Sequence, residues 1–168
     1  MGKFTTDYLV KSAIIAGLYV VVTLAFQPIG YGQVQFRISE VFVLFVFLDP
    51  SYLIGLTLGC AIANFFSPFG LVDVIFGTMA TYIALIGIIH IRKIFGQSGK
   101  ALFLASLMPV LSNGIIIGIQ LNILLNLPLI PSIIFVALGE FVVVSIMGVV
   151  AFWKLGRNKK FVDYISIR

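Results

Sequence analysis

Gln35-Phe36-Arg37-Ile38-Ser39-Glu40 is a short charged motif inside a long apolar sequence. Between Ser12 and His90 the only charged residues are Arg37, Glu40, Asp49 and Asp73. A charge at the bilayer centre costs about 2.5–3.5 kcal/mol on insertion scales. A polar group left unpartnered in hydrocarbon costs several kcal/mol. So apolar a chain keeps such residues only if they pair, line a cavity or lie near a surface. The reading of the chain turns on which of these holds for Arg37 and Glu40.

Working outward, the composition is that of an integral membrane protein. Hydrophobic residues fill 61% of the 168 positions and charged residues 10%, against about 25% charged in a soluble domain. The length accommodates roughly six spans of about 20 residues with short loops. No room is left for a soluble catalytic domain. We therefore expect an all-α bundle of six transmembrane helices, with residues 1–168 forming a single transmembrane domain. The net charge of +5 does not indicate nucleic acid, because the basic residues sit at the ends and in one loop. The single Cys60 excludes an internal disulfide and a Cys-only metal cluster, and reads as a small core residue. Lys3 and Lys11 precede an apolar run as in a signal peptide. However, Ala25-Phe26-Gln27-Pro28 is a poor cleavage site and the run is long enough to span.

The breakers divide the chain. The first span covers about 8–26, with Asp7 as its expected N-cap. Ser12 with Ala16, and Ala13 with Gly17, form a small-xxx-small pattern that admits a close helix partner. Pro28, Gly30 and Gly32 interrupt it before a second span at about 35–48, short for a full crossing, that ends at Asp49-Pro50. A third at about 51–66 aligns Gly55, Gly59 and Ala63 on one face, and Pro68-Phe69-Gly70 turns the chain. In a fourth, about 71–91, Asp73, Gly77 and Thr81 share a face. Pro109 should kink a fifth, about 101–125. A sixth covers about 131–153, and the basic tail from Lys154 to Arg168 is expected at the interface.

With the N-terminus in the cytoplasm, the cytoplasmic segments carry Lys3, Lys11, Arg92, Lys93, Lys100, Lys154, Arg157, Lys159, Lys160 and Arg168, all but one of the 11 basic residues. The positive-inside rule then favours an even span count and both termini inside, in a cell membrane. This topology gathers polar residues at the outer side: Gln27, Gln33, Gln35, Arg37, Glu40, Asn64, Ser67, Asp73, Thr78, Gln120, Asn122 and Asn126. Glu140 lies about 14 Å into the sixth span at 1.5 Å per residue. The inner half is almost purely apolar. An ion channel should be polar at all depths, so the asymmetry indicates a pocket open outward and sealed below.

Amides offer paired donors and acceptors in one plane, and carboxylates accept two N–H donors or balance a cation. The set suits a flat, nitrogen-rich heterocycle with an amine. It does not suit a sugar phosphate or an anion, and the lone His90, at the opposite end, gives no metal site. Simpler roles stand beside this one. Arg37 and Glu40, three apart, could pair with each other. Asn64 could be a helix end, and Asp73 a dipole partner for the fourth span. Asn113 could bond the carbonyl freed by Pro109, and Gln120 could clamp two helices. Glu140 is deepest, has no basic neighbour in its span, and needs a partner from elsewhere.

Three stretches, Gln35-Phe36-Arg37-Ile38-Ser39-Glu40, Leu58-Gly59-Cys60-Ala61-Ile62-Ala63-Asn64 and Asp73-Val74-Ile75-Phe76-Gly77-Thr78-Met79-Ala80-Thr81, together with Pro109, Asn113 and Gly139-Glu140, resemble the queuosine-precursor transporter family (QueT type). The resemblance implies the substrate-binding S component of an energy-coupling factor (ECF) importer. It implies a queuosine precursor as substrate, 7-aminomethyl-7-deazaguanine or a related deazapurine. Gln35, Arg37, Glu40, Asn64, Asp73, Asn113, Gln120 and Glu140 would then face substrate. It also implies partners: a membrane coupling subunit, met by Ser12, Ala13, Ala16 and Gly17, and two cytoplasmic ATPases. The run Val41 to Phe47 is bulkier than that family's pattern. No cofactor, metal or catalytic residue is expected. The chain has no G-x-x-x-x-G-K-[ST] loop, so ATP hydrolysis falls to a partner. A self-contained transporter or facilitator is the alternative, although no convincing internal repeat accompanies it. An intramembrane enzyme lacks G-x-S-x-G and H-E-x-x-H motifs.

Overall fold

The computed structural model describes residues 5–30 and 35–167. Gln33, Lys3 and Arg168, which entered the expectations above, lie outside the described residues. Within them every regular element is helical: α1 (Thr6–Ala25), α2 (Gln27–Gly30), α3 (Ile38–Leu48), α4 (Pro50–Phe65), α5 (Leu71–Phe95), α6 (Gly99–Leu125), α7 (Leu129–Gly156) and α8 (Lys159–Ile165). Helices α1, α5, α6 and α7 are long and apolar enough to cross a membrane. Helices α3 and α4 are shorter. Most of α3 is a tight 3₁₀ helix, Ile38–Leu44. At about 2.0 Å per residue there and 1.5 Å in its final α turn, α3 reaches only about 20 Å, short of the roughly 30 Å hydrocarbon core.

The bundle is apolar outside and polar within. Leu18, Val21, Ile75, Ile83, Leu111, Ile115, Ile134 and Leu138 are exposed, while Arg37, Glu40, Asn64, Asp73, Asn113, Gln120 and Glu140 are buried. A soluble fold would reverse this, because exposed apolar area costs about 25 cal/mol per Å² in water. Beneath the polar residues lies an apolar layer that includes Val43, Leu44, Phe45, Leu85, Ile88, Leu102, Val144 and Phe152. Phe45 packs edge-on against Phe152 with ring centroids 4.9 Å apart.

The small residues of α1 divide between two faces. A Cβ on Gly55 would lie 2.7 Å from the Ser12 carbonyl oxygen, and one on Gly59 2.9 Å from that of Ala16. Ser12 and Ala16 are thus occupied by an internal α1–α4 crossing whose backbones touch. Ala13 and Gly17 face outward, and nothing lies within 4 Å of a Cβ built on Gly17. The helix start also differs from expectation. Thr5, not Asp7, is the N-cap of α1 and accepts from the Tyr8 amide at 3.2 Å. Asp7 instead pairs with Lys11 at 3.0 Å, one turn on.

At the end of the bundle opposite Asp73, basic and amide side chains close the helix termini. Arg92 donates to the Leu48 carbonyl at 3.3 Å. After α8 the C-terminal segment folds back onto α1, α4 and the turn before it. Tyr52 donates to the Ile165 carbonyl at 2.5 Å, Lys11 to that of Ser166 at 2.9 Å, and the Ile167 amide to Asp49 at 2.8 Å. These bonds satisfy the orphan groups of a helix end.

Two outcomes follow from these contacts. Gly59→Ala should lose about 1–3 kcal/mol of stability through forced separation of α1 and α4, read as a lower thermal midpoint in detergent. Gly17→Ala should not lower it. Tyr52→Phe should cost about 1 kcal/mol and speed proteolytic clipping within residues 159–167.

Candidate ligand-binding site

Helix α5 is the spine of the site. Asp73, Gly77 and Thr81 follow one another at successive turns and are all buried. Their eight-residue spacing covers about 12 Å along the axis. Each meets a different helix. Asp73 Oδ1 accepts from Gln120 Nε2 of α6. The Asn64 amide of α4 lies flat on Gly77, where a Cβ would stand 2.6 Å from Asn64 Nδ2. Thr81 Oγ1 donates to Glu40 Oε1 of α3 at 3.2 Å. Cys60 fills the space between, its sulfur 3.3 Å from Thr81 Oγ1 and 3.2 Å from Asn64 Nδ2. Cys60 is thus the small core residue expected from the sequence, fully buried, and its sulfur also touches the polar ladder.

Glu40 has no exposed surface. Its Oε1 also accepts from the Tyr19 hydroxyl of α1. One turn on, the Thr23 and Ser39 hydroxyls bond at 2.6 Å and hold the same two helices in register. The Arg37 carbonyl accepts from the Glu40 amide at 2.9 Å and so opens the first turn of α3. The Arg37 side chain is buried, 4% exposed.

Glu140 approaches from α7. The Gln35 backbone runs directly against Gly139, where a Cβ would collide with the Gln35 carbonyl oxygen. That approach carries Glu140 to the start of α3, within electrostatic reach of Arg37 and Glu40. Asn113 Nδ2 of α6 donates to Glu140 Oε1 at 2.9 Å. The amide is thus used on the carboxylate rather than on the carbonyl that Pro109 leaves free. Directly after Glu140 the helix widens into a π segment, Phe141–Gly148, a feature frequent at functional sites. Ser145, within that segment, bonds Ser106 of α6 at 2.9 Å, so the lower half of the bundle holds one small polar contact.

The sequence-selected residues thus fall on two levels. Asp73 and Gln120 form an upper pair, Asn64 sits between, and Glu40, Asn113 and Glu140 lie at the floor. Asn113 and Gln120, two turns apart on α6, separate the levels by about 10 Å. Asp73 and Glu140 therefore do not share one partner. Other amides serve locally: Asn122 donates to the Leu127 carbonyl at 2.6 Å, Asn126 takes the left-handed C-cap of α6 at φ 54°, and Gln27 reaches the Phe66 carbonyl at 3.2 Å. Tyr19 was not among the sequence candidates. Its signal was present, since Ser12, Tyr19 and Thr23 share the buried face of α1 with Ile15.

A chemical bias emerges from what is left over. Glu40 Oε2, Asn64 Oδ1, Asn113 Oδ1, Gln120 Oε1 and Glu140 Oε2 are buried without a hydrogen-bond partner among the described residues. These five are acceptors, because the amide nitrogens of Asn64, Asn113 and Gln120 already face Cys60, Glu140 and Asp73; the Arg37 guanidinium, a donor, and the hydroxyls of Ser67 and Thr78, which can donate or accept, are also buried. An unmatched buried acceptor costs about 1–3 kcal/mol. Five together rival the 5–15 kcal/mol stability of a whole domain. The arrangement is complementary to a compact ligand that presents N–H donors. Among the described residues no group of three or more His, Cys, Asp or Glu converges as a metal site. A cleft of about 400 Å³ at the basic end is lined by Pro50, Ile89, Arg92, Lys93, Gly96 and Gln97. It shares no residue with the ladder.

The family model described as QueT transporter matches residues 9–157. The queuosine precursor transporter QueT of Lactococcus lactis subsp. cremoris (strain MG1363) is 34% identical over 167 residues, covering 94% of this chain and 97% of the relative. No solved structure matches the chain significantly. The match covers the α1–α7 bundle and every polar residue of the ladder, and the chain belongs to the QueT transporter family.

Proposed function

We propose that this multi-pass membrane transporter protein is the substrate-binding S component of an ECF-type importer, and that its ligand is 7-aminomethyl-7-deazaguanine or a closely related queuosine precursor. The observation that carries the reading is the set of open buried acceptor oxygens on Glu40, Asn64, Asn113, Gln120 and Glu140 at one side of an apolar bundle. A guanine-type edge offers N–H donors in a plane, and a primary ammonium adds three more. Carboxylates and amide oxygens match both groups.

The topology in this reading has six crossings with both termini in the cytoplasm. Arg92, Lys93, Lys100, Lys154 and Arg157 then lie inside, as the positive-inside rule requires, and the Asp73–Gln120 level faces out. The short α3 is accommodated because its polar start lines the pocket and avoids lipid. Substrate enters from outside, meets Asp73 and Gln120, and settles toward Glu40 and Glu140. The apolar layer beneath blocks passage through the bundle, which favours delivery by tilting of the whole domain over a pore through it.

Tilting needs a partner to drive it, and the chain has no phosphate-binding loop of its own. The partner module comprises a membrane coupling subunit and two cytoplasmic ATPases. Ala13 and Gly17 are the docking face, since they are exposed on α1 while Ser12 and Ala16 are taken up by α4. Small residues permit close helix approach there.

Purification from cells grown with precursor, followed by mass spectrometry of the bound small molecule, should return a 7-deazaguanine. Recovery of a different class of molecule would overturn the substrate. Glu140→Gln and Asp73→Asn should each weaken binding of 7-aminomethyl-7-deazaguanine about tenfold or more, the scale of one lost charge-assisted bond, in isotherms on purified protein. Leu at Ala13 or Gly17 should leave those isotherms unchanged and abolish uptake by whole cells. Loss of binding instead would assign this face to internal packing.

A further inference from the structure

Three buried ionisable groups meet at the floor of the ladder: Arg37 (4% exposed), Glu40 (0%) and Glu140 (2%). Glu40 accepts two hydroxyl hydrogen bonds on Oε1, from Tyr19 and Thr81. These two donors occupy Oε1 and leave Oε2 open. Glu140 accepts from Asn113, which likewise turns its donor toward the oxygen. Arg37 and Glu40 both act electrostatically on Glu140. The close contact of Gly139 with the Gln35 backbone fixes this proximity. One guanidinium and two carboxyl groups are therefore gathered within electrostatic reach of one another in an apolar bundle.

With both carboxyls ionised, the group carries one negative charge more than the guanidinium matches among the described residues. Helix termini do not remove it, because the N-terminus of a helix contributes at most about half a charge and α3 is short. Asp73 does not belong to this group. It lies two turns higher on α5, in that helix's first turn, and is bonded by Gln120. A lone charge in a low-dielectric site is costly unless paired. Glu40 Oε2 and Glu140 Oε2 are the two carboxylate oxygens at this level with no donor among the described residues. Both belong to the carboxylates that exceed the Arg37 charge.

We infer that the Arg37–Glu40–Glu140 group is a charge-completion seat, in which Glu40 Oε2 and Glu140 Oε2 together hold a monocationic ammonium group of the ligand and reject neutral isosteres. The inference rests on the deazaguanine reading above and adds to it. The seat lies at the floor, formed by α3 and α7, and Asp73 with Gln120 grips the uncharged ring edge. Arg37 sets the net charge so that one cation, and not two, completes the site. Discrimination follows from two effects. A neutral substituent leaves the seat's charge unmatched, and a nitrile presents an acceptor to the open oxygens Glu40 Oε2 and Glu140 Oε2.

The test uses two ligands with the same ring, 7-aminomethyl-7-deazaguanine and its uncharged 7-cyano analogue, titrated into the full-length purified chain. Wild type should prefer the aminomethyl form by about tenfold to a hundredfold, the range of a hydrogen bond to a charged group. Glu140→Gln keeps an oxygen for Asn113 and removes the excess charge, so the preference should fall to near parity, with cyano binding retained or improved. Glu40→Gln neutralises the other carboxylate and should act in the same direction, which keeps the test open if one variant fails to fold. Asp73→Asn should weaken both ligands by a similar factor. Equal wild-type binding of the two ligands would mean that a carboxyl proton already balances the seat, and would overturn the inference alone. So would an unchanged preference in both Gln variants, or a preference lost in Asp73→Asn instead. Binding of neither ligand to wild type would overturn the substrate reading and the seat with it.

Discussion

Glu40 must be satisfied in a place where water is absent, and much of the bundle is arranged around that need. Its Oε1 draws a hydroxyl from Tyr19 on α1 and another from Thr81 on α5, so one carboxylate oxygen ties three helices. In hydrocarbon an unpaired acceptor of this kind costs several kcal/mol, enough to specify register where side-chain packing against lipid cannot. The Thr23–Ser39 bond one turn away repeats the tie between α1 and α3. The 3₁₀ winding of α3 begins at the same place, with Arg37 accepting the Glu40 amide. A tighter coil carries the chain deeper per residue, so a segment too short to span as an α-helix still reaches the apolar layer below.

Backbone approach is the second constraint. Polar side chains as short as Asn64 can bridge helices only if the axes come close. Gly77 receives the Asn64 amide, Gly139 receives the Gln35 backbone, and Gly55 and Gly59 receive α1. At Gly55, Gly59 and Gly139 a methyl group would collide with backbone, and at Gly77 with the Asn64 amide. The site is therefore a property of backbone spacing as much as of the residues that line it. The π segment after Glu140 belongs to the same economy, since a wider turn changes which side chains of α7 point inward.

Much of the helical plan was legible in the sequence. Breakers at Pro28, Asp49-Pro50, Pro68 and Asn126-Leu127-Pro128 bound the apolar stretches because they cannot continue a helix. The shared face of Asp73, Gly77 and Thr81 was visible from the four-residue spacing. Other assignments failed for identifiable reasons. Asn113 had a local use beside Pro109, but a carboxylate is a stronger partner for its amide than a carbonyl. Cys60 packs in the core as the sequence suggested, although its contacts with Thr81 and Asn64 leave no signature in a hydropathy profile. Tyr19 passed unnoticed for a similar reason, as one aromatic residue among many. Ser12, Ala13, Ala16 and Gly17 read as one small-residue surface, yet a helix turns by about 100° per residue, so the pairs point to different neighbours.

What the sequence by itself determined is the solvent, the class and the chemistry. The apolar content requires a membrane, the breakers set the helices, and the rare amides and carboxylates stand out because lipid tolerates few polar groups without partners. Family membership is legible there too, in the charged motif at residues 35–40 and the polar face of α5. Only the tertiary structure decided which polar residues meet. It set Asp73 against Gln120, and Glu140 beside Arg37 and Glu40, about two helical turns deeper. It also turned the amide nitrogens inward on protein partners and left the oxygens over. The physical reason is that hydrogen bonds between helices depend on rotation and axial offset of each helix. Those are set by glycine contacts and buried charge acting jointly across the bundle, and no single span encodes them.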